Sequence, residues 1–539
     1  MSVCDCPWNR SYQVDGSILV RLFRLKAIFL VVVLCCVWMS VLFLLFSLLT
    51  CFLAYLILRW NKVKNYWAQR GVPHSPPNPF LGSLTFIQRK NVGVWIRDMY
   101  EHFKSPYIGI WLIWKPALII NDPEIARRIL VKDSSIFRDR YLSSGSSDPI
   151  GALNIFTMND PDWSNIRRKL TNLFTAAKLR FVQSFALVKA KELVQRVDRD
   201  RNKGLELKTL FVDYTTDVIG TFAFGLESNA TLTSEGPLRK VTDDFMRFSV
   251  YRGLCWFSIF FWPGLVDIFR FSLFPRDTTD FFKKIYLNIM DQRHKHPDGK
   301  QYKDLVDALI EIKKESEEKN QNYPDDLYLA QAAIVLLGGF DSTASALTYM
   351  TYELAHDSES QEKLYRELKE AERNGANFDA QTLTELTYLN CVFKEVLRKY
   401  APMGWLDRIA ATDYNIDENL TIAAGTVIYV NAIGMHYDPK YFPEPYKFNP
   451  DRFLPENESN IEPYTFMPFG DGPRVCIGQR FAYMSARTAA SQLFLKYKVQ
   501  PIPGSPKPKD VKIESKGLFL GPGEPVHVEF IPRTENGHD

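Results

Sequence analysis

The sequence predicts a mainly α-helical protein with minor β-sheets, tied to a membrane by one N-terminal transmembrane helix. Three observations carry this reading. Residues 27–58 form an uncharged run of 32 residues rich in Leu, Val and Phe, longer than the roughly 20 that a bilayer core requires. Beyond residue 84 the apolar spacing is helical over 163–170, 204–224, 325–356, 361–371, 383–400 and 479–497. Strand-like runs are fewer: YIGIWLIW from Tyr107, ALIIN from Ala117, TVIYVNAI from Thr426 and VHVEFI from Val526.

The N-terminal elements follow in order. Residues 1–26 are an extension, 27–58 the anchor, 59–83 a basic and proline-rich hinge, and 84–539 one large domain without internal repeat or second linker. Pro73, Pro76, Pro77 and Pro79 make the hinge stiff and extended. Arg21, Arg24 and Lys26 before the anchor nearly balance Arg59, Lys62, Lys64 and Arg70 after it, so charge alone does not orient it. A start at Met39 resolves this: Met39–Leu58 is one span with every flanking cation downstream, which places the large domain in the cytosol. Met1 to Trp38 is then absent from the mature product, and the sequons at Asn229, Asn419 and Asn457 stay unglycosylated.

Composition narrows the class. With 46% hydrophobic and 14% aromatic residues the chain has ample material for a core, which excludes disorder. A net charge of +4 with no basic block excludes a nucleic-acid footprint. Five of the eight cysteines lie in the first 51 residues, leaving Cys255, Cys391 and Cys476. Three distant cysteines build no disulfide framework, and the large domain suits a reducing compartment.

FGDGPRVCIG, from Phe469 to Gly478, is too glycine-rich for an ordinary helix or strand. Gly470, Gly472 and Gly478 permit tight turns and close backbone approach, and Arg474 puts a cation two residues from the thiol. A lone thiolate beside backbone amides and an anion-binding arginine suits an axial haem ligand better than zinc, which needs further Cys or His. At Phe469, Gly472, Arg474, Cys476 and Gly478 the stretch resembles the cytochrome P450 haem signature F-x-x-G-x-R-x-C-x-G at every fixed position. The resemblance implies the cytochrome P450 fold, a haem cofactor with Cys476 as its thiolate ligand, Arg474 near a haem propionate and Phe469 beside the sulfur. Residues 84–539 are then a haem-thiolate catalytic domain.

Other stretches extend the likeness. KEVLRKY puts Glu395 and Arg398 on one helical face. With Arg452 of NPDRF they resemble the family's buried structural triad. Trp163 and Arg167 in WSNIR, and Arg408 after Pro402, resemble its propionate-binding residues, and His436 in MHYDPKYFPEP is family-like. LLGGFDSTAS places Gly338 and Gly339 in mid-helix, each costing roughly 1 kcal/mol relative to Ala, which implies close packing or a function. It resembles the family's oxygen-activating element, with Asp341 relaying protons and the next hydroxyl bonding oxygen. Here that hydroxyl is Ser342 and not Thr, with Thr343 following, and serine lacks the methyl that restricts χ1.

The implied reaction inserts one atom of O2 into a substrate, the other leaving as water. No G-x-G-x-x-G follows a strand, so electrons come from elsewhere. The resemblance implies an NADPH-cytochrome P450 reductase, with cytochrome b5 as a possible second donor, at the endoplasmic reticulum membrane with the catalytic domain facing the cytosol. Arg168, Lys169, Lys178, Lys394, Lys399 and Arg480 form an expected docking face. Aromatics crowd Trp256–Phe274, expected to roof an access channel and dip into membrane lipid. Phe137, Met158, Leu337, Phe340, Met403, Trp405 and Phe519 are expected to line an apolar substrate pocket. Small lipophilic substrates are implied, and the whole is most similar to insect microsomal members that metabolise plant toxins and insecticides. Two competitors are a thiolate-haem isomerase or dehydratase of hydroperoxides, disfavoured by Asp341 and Ser342, and a non-catalytic haem-binding protein.

Overall fold

The apolar run near the N-terminus folds as one helix, α1 (Gly16–Lys64), in a computed structural model that describes residues 16–295, 304–321 and 323–533. At about 1.5 Å per residue α1 is more than twice as long as a bilayer core is thick. The expected anchor lies inside it and Met39 falls in mid-helix. Within the uncharged stretch 27–58, Ser40 Oγ donates to Cys36 O (2.9 Å) and Thr50 Oγ1 to Phe46 O (2.8 Å), so these two hydroxyls return to the helix backbone. Residues 1–15 of the expected extension lie outside the described residues. The chain divides into two units at Tyr66 and Trp67.

In the second unit the main helices are α2 (Asp162–Thr171), α3 (Ala176–Asp200), α4 (Leu207–Phe224), α5 (Val250–Phe261), α6 (Asp325–His356), α7 (Ser358–Arg373), α8 (Thr387–Lys399) and α9 (Gln479–Lys496). α6 is as apolar as a membrane span, yet most of it is buried against α4, α8 and α9, so it is the central core helix. Besides a two-residue pair, Tyr414–Asn415 with Thr421–Ile422, the strands are β1 (Tyr107–Leu112), β2 (Lys115–Ile120), β3 (Leu406–Ile409), β4 (Val427–Val430), β5 (Tyr497–Pro501) and β6 (Val528–Pro532). The larger sheet has the order β1-β2-β4-β3, with β2 and β4 parallel in register Ala117 to Val427 and the other pairs antiparallel. β5 and β6 form a separate antiparallel pair, Tyr497 opposite Pro532.

The mainly α class with minor sheets is observed, and the differences are local. YIGIWLIW ends as a strand at Leu112 because Ile113 turns with φ 60°. The helix expected over 383–400 is two, Ala380–Glu385 and α8, broken at an extended Leu386. Glu367 of α7 caps the second piece, its carboxylate accepting from Tyr388 N (2.6 Å) and Leu389 N (2.9 Å). β3 and β5 were not expected at all. Expected as a connector, the proline-rich segment lies against β1 from Trp67 onward: Trp67 is fully buried, its indole N–H donating to Ile110 O (2.9 Å). A Cβ on Gly109 would enter the Trp67 ring at 2.4 Å, so that strand position requires glycine.

Candidate functional site

The cysteine loop is folded by its glycines. Gly472 has φ 72°, and a Cβ there would meet Leu130 O at 1.8 Å, so no other residue fits. Cys476 N donates to Phe469 O (3.0 Å) and Val475 N to Gly472 O (3.0 Å), closing the turn, while the Phe469 ring rests on Tyr483 of α9. α9 begins three residues after the thiol. Burial pushes the Cys476 thiol pKa up, and the backbone N–H groups of Gly478 and Gln479, with Arg167 and Arg140, pull against that rise. The side chain is nevertheless accessible to a water-sized sphere.

Four arginines gather about this loop. Arg474 donates to Arg138 O (2.9 Å), Met158 O (2.9 Å) and Asn159 Oδ1 (3.3 Å), and its guanidinium lies 4.0 Å over the Trp163 ring. Arg167 of α2 donates to Val475 O at 2.7 Å. Arg408 of β3 is buried with one bond to Asp407 O (2.7 Å). Arg140, which sequence reasoning missed, stacks on Phe156 (4.5 Å), and its Nε and Nη1 are shut off from solvent without a partner among the described residues. Burial and mutual repulsion depress these cations: Arg408 to about 10, Arg474 to about 9, with Arg140 lowered chiefly by burial. Asp407, the nearby carboxylate, is engaged by Tyr141 N (2.9 Å) and Leu142 N (3.3 Å). Four arginines that outnumber the carboxylates of Asp407 and Asp139 (3.9 Å from Arg474), with orphaned donors on Arg140, fit beside an exposed thiol a ligand that carries carboxylates and a soft metal, as haem does. Nothing in FRDRY separates Arg140 from the exposed Arg138 two positions earlier.

The supporting triad is assembled. Glu395 and Arg398 are fully buried and bidentate, 2.8 Å in both bonds, and Arg452 Nε approaches Glu395 Oε1 at 3.5 Å. Arg398 also donates to His436 O (2.7 Å) and Pro445 O (2.8 Å). His436 closes the circuit: its Nδ1 faces Arg398 O (2.9 Å) and its Nε2 accepts from Met467 N (3.0 Å), two residues before Phe469. Those partners require the neutral ring protonated on Nδ1. Burial, then the Arg398 charge, lowers the His436 pKa from 6.5 to about 3. The unfolded chain therefore takes up a proton between pH 6.5 and 3 that the folded chain refuses. This contribution is complete above pH 6.5 and is lost as pH falls toward 3, by about 1.4 kcal/mol per pH unit. Urea midpoints at pH 7 and pH 5 should accordingly differ less in His436→Gln than in the unaltered protein.

On α6 the two glycines play different parts. A Cβ on Gly339 would strike Ile219 of α4 at 2.4 Å, which is close packing. Gly338 is exposed within an otherwise buried helix, with nothing within 4 Å of a Cβ. Ser342, one turn on, is half-buried and donates to Gly338 O at 2.8 Å. Thr343 Oγ1 is buried and has no partner among the described residues. Asp341 is paired with Lys208 at the start of α4 (2.5 Å), whose Nζ also donates to Ser345 Oγ (2.5 Å). Lys208 had no signal in sequence, lying 133 residues away.

Of the expected pocket residues, Phe340 and Phe519 line a cavity of about 210 Å3 together with Lys208, Asp341, Ser345 and Met246. Phe137 and Trp405 are not among the residues that line this cavity, and each is 1% exposed. Phe137 packs edge-on to Tyr414 (4.8 Å), and Trp405 sits among Phe260, Phe261 and Tyr429 (5.5–5.7 Å). Leu337 and Met158 are buried and Met403 half-buried, and the described contacts do not bring them together. The aromatic roof divides likewise, Trp256, Phe260 and Phe261 facing inward while Trp262, Ile268 and Phe269 are exposed. Lys399 leaves the expected docking face: it is 5% exposed and bonded to Glu353 of α6 at 2.5 Å. A buried lysine requires such a partner, so a cationic residue at that point of the sequence does not imply a cationic surface.

A glycine-folded cysteine under a helix-rich core, ringed by cations, defines a haem-thiolate protein. Residues 73–528 match the family model described as Cytochrome P450, and the chain belongs to the cytochrome P450 family. It is 34% identical to cytochrome P450 6l1 of Blattella germanica over 477 residues, 87% of this chain and 93% of that protein. It is 30% identical to cytochrome P450 6k1 of the same species, with the same coverage, and 32% identical to the probable cytochrome P450 6g2 of Drosophila melanogaster over 87% of this chain and 94% of that one. It is accordingly a haem-binding monooxygenase whose iron is held by a cysteine thiolate.

Proposed function

We propose that this protein is a membrane-anchored monooxygenase that oxidises small lipophilic foreign compounds, with electrons from an NADPH-dependent flavoprotein reductase. The observation that carries it is the Cys476 thiol, exposed in its glycine-folded loop and flanked by Arg140, Arg167, Arg408 and Arg474. In this reading Cys476 is the iron ligand and the arginines, with Trp163, hold the haem carboxylates. Haem with a thiolate ligand supplies reductive cleavage of O2. Gly338 leaves room on α6, and Ser342, its proton committed to Gly338 O, offers lone pairs to an incoming proton donor. Asp341 carries protons inward from Lys208 and the cavity behind it. The exposed Trp262, Ile268 and Phe269 support membrane contact, and α1 supports anchorage at the endoplasmic reticulum, with the second unit cytosolic. The similarity to insect P450 relatives supports xenobiotic substrates. The retained acid and hydroxyl weigh against hydroperoxide isomerisation.

Reconstitution with NADPH, a P450 reductase and a panel of plant toxins and insecticides tests this. Product and NADPH consumption that depend on the reductase are expected; turnover of hydroperoxides without reductase would transfer the protein to the isomerase class. In the same assay Ser342→Thr should raise the fraction of NADPH recovered as product by about twofold to fivefold, the worth of roughly 0.4–1 kcal/mol of rotamer restriction. Peroxide release should fall in step.

A further inference from the structure

The cations around Cys476 come from distant parts of the chain, and one uncharged side chain touches several of their carriers. Asn159 lies between the expected ligand segments: Oδ1 accepts from Arg140 N (2.9 Å) and Nδ2 donates to Arg140 O (3.0 Å). The amide thus replaces a neighbouring peptide, pairing with both backbone groups of Arg140 as a strand would. The same Oδ1 accepts from Arg474 Nη2 (3.3 Å), and Asn159 O accepts from Trp163 N (3.1 Å) as α2 begins. Arg140, Arg474 and Trp163 therefore share one residue as their reference point. Arg140 needs one, because among the described residues its guanidinium rests on the Phe156 ring with Nε and Nη1 unpartnered, and the cluster repels itself.

We propose that Asn159 is the positioning residue of the haem-carboxylate cradle, holding Arg140 and Arg474 in mutual register through its side-chain amide. The inference rests on the reading of those arginines as carboxylate ligands. Asn159 itself needs no contact with haem. The loop contains its own control: Asn154, fully buried five residues earlier, bonds Ile150 O, Gly151 O, Phe156 N and Thr157 N and touches none of the cations.

The test is the rate of haem transfer from the holoprotein to excess apomyoglobin, a readout independent of turnover, with helicity followed in parallel. Asn159→Leu is expected to lose haem about tenfold faster than the unaltered protein, Arg140→Leu comparably, and Asn154→Leu at close to the unaltered rate. Asn159→Asp keeps the acceptor for Arg140 N–H and Arg474 and lacks the donor to Arg140 O, so it should fall between, and it is read alone if Asn159→Leu yields no holoprotein. Wild-type rates in the Asn159 variants beside a fast Arg140→Leu would overturn the positioning role while leaving the cradle. Equal acceleration in Asn154→Leu would reduce Asn159 to loop maintenance and overturn it too. If Arg140→Leu is also unaffected, the carboxylate cradle itself is wrong and the proposal falls with it.

Discussion

Cys476→Ala is expected to abolish the red-shifted ferrous carbon monoxide band and all NADPH-dependent product formation, a fall of at least about a thousandfold, or roughly 4 kcal/mol in the barrier. Electron donation from the thiolate drives O–O cleavage, and alanine leaves no donor in its place. Cys255 and Cys391 cannot substitute, since each is buried on another element and the loop geometry that aims N–H groups at the sulfur belongs to Gly478 and Gln479 alone. The arginines remain in the variant, so some haem should still bind, without the thiolate spectrum. Because burial raises the Cys476 pKa, ligation must release a proton, and haem uptake by the apoprotein should quicken with rising pH. A Cys476→Ala protein that kept the red-shifted band would refute the ligand assignment.

The second large effect is structural. Arg398→Leu should cost about 3–5 kcal/mol, a large share of the 5–15 kcal/mol that holds a typical domain together. The loss exceeds that of a surface pair because Glu395 would be left fully buried without its main counter-ion, keeping Asn449 N (3.0 Å) and the longer approach of Arg452. The carbonyls of His436 and Pro445 would lose their donors at the same time. Replacing both partners, as in Glu395→Leu with Arg398→Leu, should restore only part of the stability, since Asn449 N and those carbonyls still lack partners. Urea midpoints and haem content of the single and double variants measure this. A normal midpoint for Arg398→Leu would show that the pair carries no weight.

Much of the site was legible because its signals are local. The cysteine loop requires Gly472 at a positive φ against Leu130 O, and glycine at that place is visible in any reading. Glu395 and Arg398 meet because three residues make nearly one turn. Gly338 and Gly339 stood out by their helical cost, although only packing against Ile219 separates their parts. Arg140, Lys208 and Asn159 look like ordinary solvated residues, and Lys399 looked like part of a basic face. Their partners come from elsewhere in the fold, Asp341 for Lys208 and Glu353 for Lys399.

By itself the sequence determined the helical class, the apolar N-terminal helix, the cysteine loop and the Glu395–Arg398 pair, because each depends on period, composition or spacing within a turn or two. Tertiary structure decided which cations turn inward, where α8 begins under the Glu367 cap, and which aromatic rings Phe137 and Trp405 pack against. Burial and pairing arise between segments from about twenty to several hundred residues apart. A residue type states what a side chain can bond, and only the packed chain settles whether water or a distant partner answers it.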